Sequence, residues 1–352
     1  RQAALLEART GREIVISAVS ARTKDRDRGV RLSDYAWEDD PVALARREDV
    51  DIFVELMGGA DGPAKTATEA ALAAGKDVVT ANKALLAMHG QALAEQAENN
   101  NLSIRYEAAV AGGIPCVKAL SEGLAANEIT RVMGVMNGTC NYIMTRMQDA
   151  HLDYQTVFAE CEDLGYLEAD PTLDVGGIDA GHKLALLAAV AFGTRVDFNA
   201  LTIEGIERVT TEDIEQAADM GYRIKLLGVA QKTGRGVDAR MTPCLVPDAS
   251  PLGQLEGATI MIVLEGDSVG QIVLRGSGAG EGPTASAVVA DVADLARGSR
   301  LPVFGVPVDT LQAAERANNA TPAAYYLRMA LVDKPGALAK IASVLGDAGV
   351  SI

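Results

Sequence analysis

The feature that most constrains this chain is the punctuation of its first third, where short apolar runs closed by glycine alternate with longer alanine-rich stretches. "GREIVISAVS" (residues 11–20) reads as a buried strand, and the polar loop "ARTKDRDRG" follows it. "DIFVELMGG" is a second buried strand ending in two glycines. Then come a helix from "PAKTATEAALAAG", the strand "DVVTA" and another helix. "LSIRYEAAVAGGIPCVKAL" adds a strand, a Gly-Gly turn and a helix. These runs are apolar throughout rather than alternating, as expected of strands covered on both faces. Strand–helix alternation of this kind predicts an α/β fold with a mostly parallel sheet. The opening residues, "RQAALLEART", read as a helix with no cap before it.

From Ile129 the texture changes. "ITRVMGVMNGTCNYIMTRM" predicts a strand, a turn at Asn137-Gly138 and a helix. "VDARMTPCLV", "ATIMIVLEG" and "GQIVLRG" predict strands, with "IKLLGVAQ" open between strand and helix, so a second α+β domain with a largely antiparallel sheet is expected. "GPTASAVVADVADLARG" predicts a helix capped by Thr284 or Ser286 and stopped by Gly298. Pro302, Pro307, Asn318, Asn319 and Pro322 mark a linker. The tail, "YYLRMALVDKPGALAKIASVLGDAGVSI", predicts a strand, a Pro-Gly turn, a helix and the start of another strand, half of a βαββαβ-type module.

A formal net charge of −16 argues against nucleic acid or an anionic membrane as partner. No apolar run approaches the roughly 18 residues of a membrane helix, and no signal sequence opens the chain. The four cysteines stand apart with no C-x-x-C, a pattern of reduced thiols that predicts a cytoplasmic protein. With three histidines and no clustered ligands, no transition-metal site is expected.

The candidate chemistry lies at predicted strand ends and in one helix. The phosphate-binding fingerprint G-x-G-x-x-G of a Rossmann fold follows no strand here. The expectation is that the chain begins inside the helix after that fingerprint, and that this stretch alone binds cofactor poorly. After the strand that follows, an acidic residue would select NAD and a basic one NADP. Arg22 and Lys24 favour NADP, although "RTKDRDR" also reads as a solvated run of both charges. Gly58, in "ELMGG", and Lys83, in "VTANK", stand beyond strand ends, where open α/β sheets bind ligands. A plain turn and a solvated lysine are the alternatives. In "DVGGIDAGHKLALLAAVAFG", Asp179 and Lys183 share one helix face a turn apart, ahead of an all-apolar stretch. One reading is a helical ion pair with an acid facing the helix dipole. The other is a half-desolvated lysine whose pKa falls toward neutrality, suited to acid/base work at an alcohol or aldehyde oxygen, with Asp179 orienting it. Glu168 can bind a positive substrate group, and His182 reads as structural.

"MNGTCNYIMTRM", "GYLEADPTLDVGGIDAGHKLALLA", "GSGAGEGPTASAVVADV", "ARTKDRDRG", "VTANK" and "YEAAVAGGIP" resemble the homoserine dehydrogenases, in that family's order along the chain. The tail resembles the beginning of an ACT domain. The resemblance implies a Rossmann-like dinucleotide-binding domain over 1–106, completed by 280–312 and lacking its first strand and Gly-rich loop. It further implies a substrate-binding and dimerisation domain over 107–279, and an ACT start over 323–352. The implied reaction is the reversible NAD(P)-linked reduction of L-aspartate 4-semialdehyde to L-homoserine, on the route to threonine and methionine. Lys183 matches the catalytic lysine, Asp179 its partner carboxylate and Glu168 the residue that binds the substrate's amino group. Lys83 and Gly280 match cofactor-side positions. Glu107, Val110, Gly112 and Ile114 match a monovalent cation site, sodium, built mostly from backbone carbonyls. A homodimer or homotetramer pairing through the sheet of 246–279, and regulation by threonine, are family-level expectations. Gly181 departs from the alanine of many members. The competing readings are another amino-acid dehydrogenase, which a substrate panel would reveal, and a non-catalytic ACT-containing sensor, which would bind an amino acid without turnover.

Overall fold

The computed structural model describes residues 2–167, 170–315, 317 and 323–351. They form one unit over 1–320 and a second over 321–352. In the first unit, parallel strands Ile52–Glu55, Asp77–Thr80 and Ile104–Arg105 lie side by side in that order. Ile52 is in register with Asp77 and Val78 with Ile104. The helices Pro63–Ala73 and Lys83–Asn99 make the crossovers, and Gly75 ends the first of them at φ +76°.

The expected strand over 11–20 is mostly not formed. Only Ala18–Val19 is a strand, paired in parallel with Ala36–Trp37, and Val15 and Ile16 stay 66% and 58% exposed. A strand needs a neighbour for its N–H and C=O groups, and before Ser17, whose carbonyl accepts from Ala36 N at 3.3 Å, no strand of the described residues lies beside the run. The opening helix forms as expected over Ala3–Thr10, without a side-chain cap.

The second region is built on a six-stranded sheet ordered Gly270–Gly276, Ile260–Gly266, Ile129–Val135, Tyr222–Thr233, Gly236–Pro247 and Thr202–Ile203. All neighbours are antiparallel except the last pair. "IKLLGVAQ" therefore resolves as strand. Alternation sorts its side chains between two cores: Ile260, Ile262 and Leu264 enter the main core, while Met261 and Val263 join Val135, Leu227, Val229, Val246, Leu252 and Leu255 on the other face. Helices Gly138–Ala150, Ile178–Phe192 and Thr211–Asp219 cover the first face.

Three smaller expectations are corrected. The helix Glu281–Ala296 starts from Gly280 with no side-chain cap, so Thr284 and Ser286 lie inside it. The expected linker is packed down beside its prolines: Pro302 is partly buried and Pro307 exposed, but the neighbouring Val303, Phe304 and Val308 are buried, and Glu98 accepts the N–H groups of Val303 (3.0 Å) and Val308 (2.8 Å). Asn318, Asn319 and Pro322 lie outside the described residues. In the second unit the helix Ala337–Asp347 forms, but 323–333 is not a strand: Tyr325 and Leu327 are 75% and 59% exposed, and no strand of the described residues pairs with them.

Candidate active site

The glycines before the apolar helix have a geometric reason. Gly177 is the N-cap of Ile178–Phe192 and sits at φ +79°, a left-handed conformation that places Asp179 in the first turn. Gly205 lies so close that a Cβ there would stand 2.3 Å from the Val175 carbonyl oxygen. The helix is buried along Leu184–Val190 apart from its ends, as its unbroken apolar sequence requires.

Asp179 is 4% exposed and gathers two lysines. Lys183 Nζ lies 2.7 Å from its Oδ2 and donates to the Met136 carbonyl at 3.0 Å. Lys83 Nζ lies 2.9 Å from its Oδ1. Lys83 opens the helix Lys83–Asn99, which packs on Ile178–Phe192. One buried carboxylate thus bridges a lysine from the parallel-sheet region to one from the mixed-sheet region. Burial alone would raise the Asp179 pKa, but Lys183 and Lys83 outweigh it and hold the carboxyl well below its ordinary range.

Asn137, just past the strand Ile129–Val135, completes the cluster. Its Oδ1 accepts from Cys140 N at 2.8 Å, capping Gly138–Ala150. Its Nδ2 donates to Asp174 Oδ1 at 2.8 Å and, more weakly, to Asp179 Oδ2 at 3.3 Å. Asp174 is itself 3% exposed. Residue type alone does not single out Asn137 and Asp174. The Asn-Gly pair reads as a turn, and the aspartate as one acid among several in a loop. The only signal was the placement of a helix-capping amide at a strand's end.

Lys183, Asp179 and Lys83 therefore meet, and His182 packs against Phe198 with ring centroids 4.3 Å apart and the rings tilted by 42°, its pKa lowered by burial against the pull of Asp179. Glu168 lies outside the described residues. Gly58 follows a strand end at φ +78°, and Gly280 opens a helix at φ +105°. Arg22 is exposed in the loop after Ala18–Val19, where Lys24 lies over the Trp37 ring, 5.4 Å from its centroid.

Of the four positions of the expected cation site, Glu107 and Val110 bound the short helix Glu107–Val110, and Gly112 and Ile114 lie in the turn after it. Glu107 spends its carboxylate on the N–H groups of Val117 (2.9 Å) and Lys118 (2.8 Å), leaving its carbonyl as the donor that could face an ion. Burial pushes that carboxyl up to about 7 against those two bonds. Gly112 sits at φ +54°, and a Cβ there would stand 2.5 Å from the Gly278 carbonyl oxygen. Among the described residues no cluster of His, Cys, Asp and Glu is suited to a metal, no helix is long and apolar enough to cross a membrane, and all four cysteines are free thiols.

Comparison with known proteins shows the family. A family model described as homoserine dehydrogenase matches residues 115–293, and one described as homoserine dehydrogenase, NAD binding domain, matches residues 2–107. A homoserine dehydrogenase of Neisseria gonorrhoeae is 44% identical over 351 residues, covering 98% of this chain and 80% of the relative. One of Pseudomonas aeruginosa is 39% identical over 359 residues, covering 100% and 82%. The crystal structure of a homoserine dehydrogenase from Thiobacillus denitrificans superposes with a TM-score of 0.88 at 39% identity, covering 99% of this chain and 81% of that one. A hyperthermophilic archaeal homoserine dehydrogenase in complex with NADPH gives a TM-score of 0.64 at 27% identity, covering 74% and 75%. The chain, with its Rossmann-like parallel sheet, its mixed sheet and two lysines converging on one buried carboxylate between them, belongs to the homoserine dehydrogenases, NAD(P)-dependent oxidoreductases.

Proposed function

We propose that this chain reduces L-aspartate 4-semialdehyde to L-homoserine reversibly, with Lys183 as the general acid/base. The observation that carries the reading is the shared carboxylate: Asp179 holds Lys183 at 2.7 Å and Lys83 at 2.9 Å. An ammonium has three N–H donors. Two of those of Lys183 go to Asp179 and the Met136 carbonyl, which leaves the third for a substrate oxygen. In the reductive direction Lys183 gives that proton to the aldehyde oxygen; in the oxidative direction it takes the hydroxyl proton. The bound nicotinamide cofactor supplies or accepts the hydride. Asp179 and Glu168 hold the substrate's amino end, and Asp179, fixed by Asn137, keeps the lysine's hydrogens aimed. A second reading, a proton path through water from Lys83, is favoured by that lysine's contact with the same carboxylate.

The finer assignments belong to the same proposal. Gly58, Lys83 and Gly280 line the cofactor side, and Arg22 favours NADP by meeting its extra phosphate. The carbonyls of Glu107, Val110, Gly112 and Ile114 suit a hard monovalent cation, Na+, which would brace the loop without entering the chemistry. The glycine turn at 112 and the engaged Glu107 carboxylate support a carbonyl site. The Ile114 carbonyl also accepts from Cys116 N, at 2.8 Å, leaving one lone pair for an ion. The protein acts in the cytoplasm.

One experiment tests these together: NADP+ reduction by L-homoserine at alkaline pH, with Lys183→Ala, with Arg22→Ala, with NAD+ in parallel, and with choline replacing Na+. Lys183→Ala is expected to lose about a hundredfold or more in turnover with cofactor binding kept. Arg22→Ala should weaken NADP+ more than NAD+, and choline should lower activity. Equal turnover by Lys183→Ala would move the proton path to Lys83, and a wild-type protein with no turnover would favour an amino-acid sensor.

A further inference from the structure

Glu55 ends the strand Ile52–Glu55 with no exposure at all, between Val54 and Leu56, which are 38% and 61% exposed. A carboxylate withdrawn from water at the carboxyl edge of a sheet needs protein donors, and those it has are specific. Its Oε1 accepts from the N–H groups of Met57 (2.6 Å) and Gly58 (3.1 Å). Its Oε2 accepts from the Thr80 hydroxyl at 2.6 Å. Thr80 is the register partner of Glu55 on the neighbouring strand and is also fully buried.

The connections continue to the helix of Lys83. Thr80 Oγ1 accepts from Asn82 N at 2.9 Å. Asn82 caps the helix through Leu85 N at 3.0 Å and donates its Nδ2 to the Gly59 carbonyl at 2.7 Å. The path from Gly58 to Glu55, Thr80, Asn82 and back to Gly59 is a closed ring. Gly58 and Gly59 take φ +78° and +87°, two successive left-handed residues that no regular ladder can hold, so the ring is what fixes their turn. Because a carboxylate only accepts, the Thr80 hydroxyl must donate to Glu55, which leaves its lone pairs for Asn82. The direction of every bond is thereby set.

We infer that Glu55 and Thr80 are positioning residues of the reaction: their ring locks the glycine turn and the N-terminus of the Lys83 helix into one body, so that the cofactor side of the cleft and the Lys83–Asp179–Lys183 cluster stay in register. The inference rests on the reading of Gly58 and Lys83 as cofactor-side residues. It assigns no contact with substrate to either Glu55 or Thr80.

The test is steady-state oxidation of L-homoserine, unlabelled and deuterated at C4, by the full-length protein and its Thr80→Val, Thr80→Ser, Glu55→Gln, Glu55→Gln/Thr80→Val and Lys83→Ala variants. Thr80→Val keeps the volume and removes the hydroxyl. Glu55→Gln either turns Nε2 toward Thr80, reversing that bond and taking the acceptor from the buried hydroxyl's proton, or sets a donor against the two backbone N–H groups. Each is expected to lower kcat about tenfold or more, as small misplacements do. The isotope effect should rise, and KM for homoserine should stay within about threefold, while Thr80→Ser restores near-wild-type turnover and the double variant is no worse than the worse single one. Thr80→Val turning over like wild type, Thr80→Ser failing equally, or losses that multiply in the double variant would overturn the inference. If Thr80→Val does not fold, Glu55→Gln and Thr80→Ser are judged by the same criteria. Wild-type turnover in Lys83→Ala would remove the underlying reading and the inference with it. An impaired Lys83→Ala beside an unimpaired Thr80→Val removes the inference alone.

Discussion

Asp179 and Lys183 stand four apart on a helix, a spacing that serves an ordinary ion pair and a catalytic pair equally well. What separates the two readings is the neighbourhood, since a surface pair has water on its far side whereas Asp179 is enclosed by Lys83, Lys183 and Asn137. A second buried lysine shows how much the surroundings decide. Lys225 is 2% exposed and donates to Asn141 Oδ1 at 2.9 Å and the Leu255 carbonyl at 2.5 Å, neither of which carries a formal charge. Burial, with help from Arg223, lowers its pKa from 10.5 to about 8. In the window between about 8 and 10.5 the unfolded chain therefore binds more protons than the folded one, and stability rises with pH. We expect the wild type to gain roughly 2–3 kcal/mol over that window relative to Lys225→Met. Denaturant unfolding of both proteins at several alkaline pH values measures it, and parallel curves would refute the assignment.

Among the elements, the segment carrying Pro302 and Pro307 shows where composition misleads. Prolines and asparagines suggest a connector, yet Phe304 is fully buried, its ring centroid 6.0 Å from that of Tyr106. A Cβ added at Gly90 would reach 2.9 Å from that ring, so the helix Lys83–Asn99 is shaped to receive it. Phe304→Ala should cost about 3–5 kcal/mol by leaving a cavity, seen as a fall in the midpoint of urea unfolding. A change below about 1 kcal/mol would mean the segment is only draped on the surface. Gly181, a glycine inside a helix, has an element-scale reason too. A Cβ there would stand 2.9 Å from Ile203 Cδ1 and 3.1 Å from Phe198 Cε2, so the loss of helix propensity admits close packing. The open choice between strand and helix at "IKLLGVAQ" was likewise settled by partners, since Tyr222–Thr233 pairs on both sides.

At the scale of the molecule, the chain leaves the parallel-sheet region near residue 107 and returns near 280, and those two crossings touch. Gly113 N donates to the Ser277 carbonyl at 3.2 Å, and Gly112 lies against Gly278. The region between the crossings carries the large mixed sheet, which we propose pairs two copies of the chain. Light scattering of the full-length protein is expected to give a dimer or tetramer, with threonine altering its activity. A monomer at micromolar concentration, or indifference to threonine, would remove those two proposals separately.

The order of strands and helices in the first hundred residues after the polar loop was legible in the sequence, because buried parallel strands and their crossover helices are written in local apolar runs and glycine stops. The Asp179–Lys183 spacing was legible for the same reason, being a property of one helix. The runs over 11–20 and in the tail read as strands and mostly do not form, because a strand exists only through the partner that takes its hydrogen bonds. The site itself was decided by the tertiary structure. Lys83 and Asn137 are separated from Asp179 by whole elements, and only packing of the helix Lys83–Asn99 on Ile178–Phe192 brings two ammonium groups to one buried carboxylate. Sequence determined which residues can carry a charge into the core, and folding determined which charges meet there, since Coulomb attraction and desolvation depend on distance in space rather than along the chain.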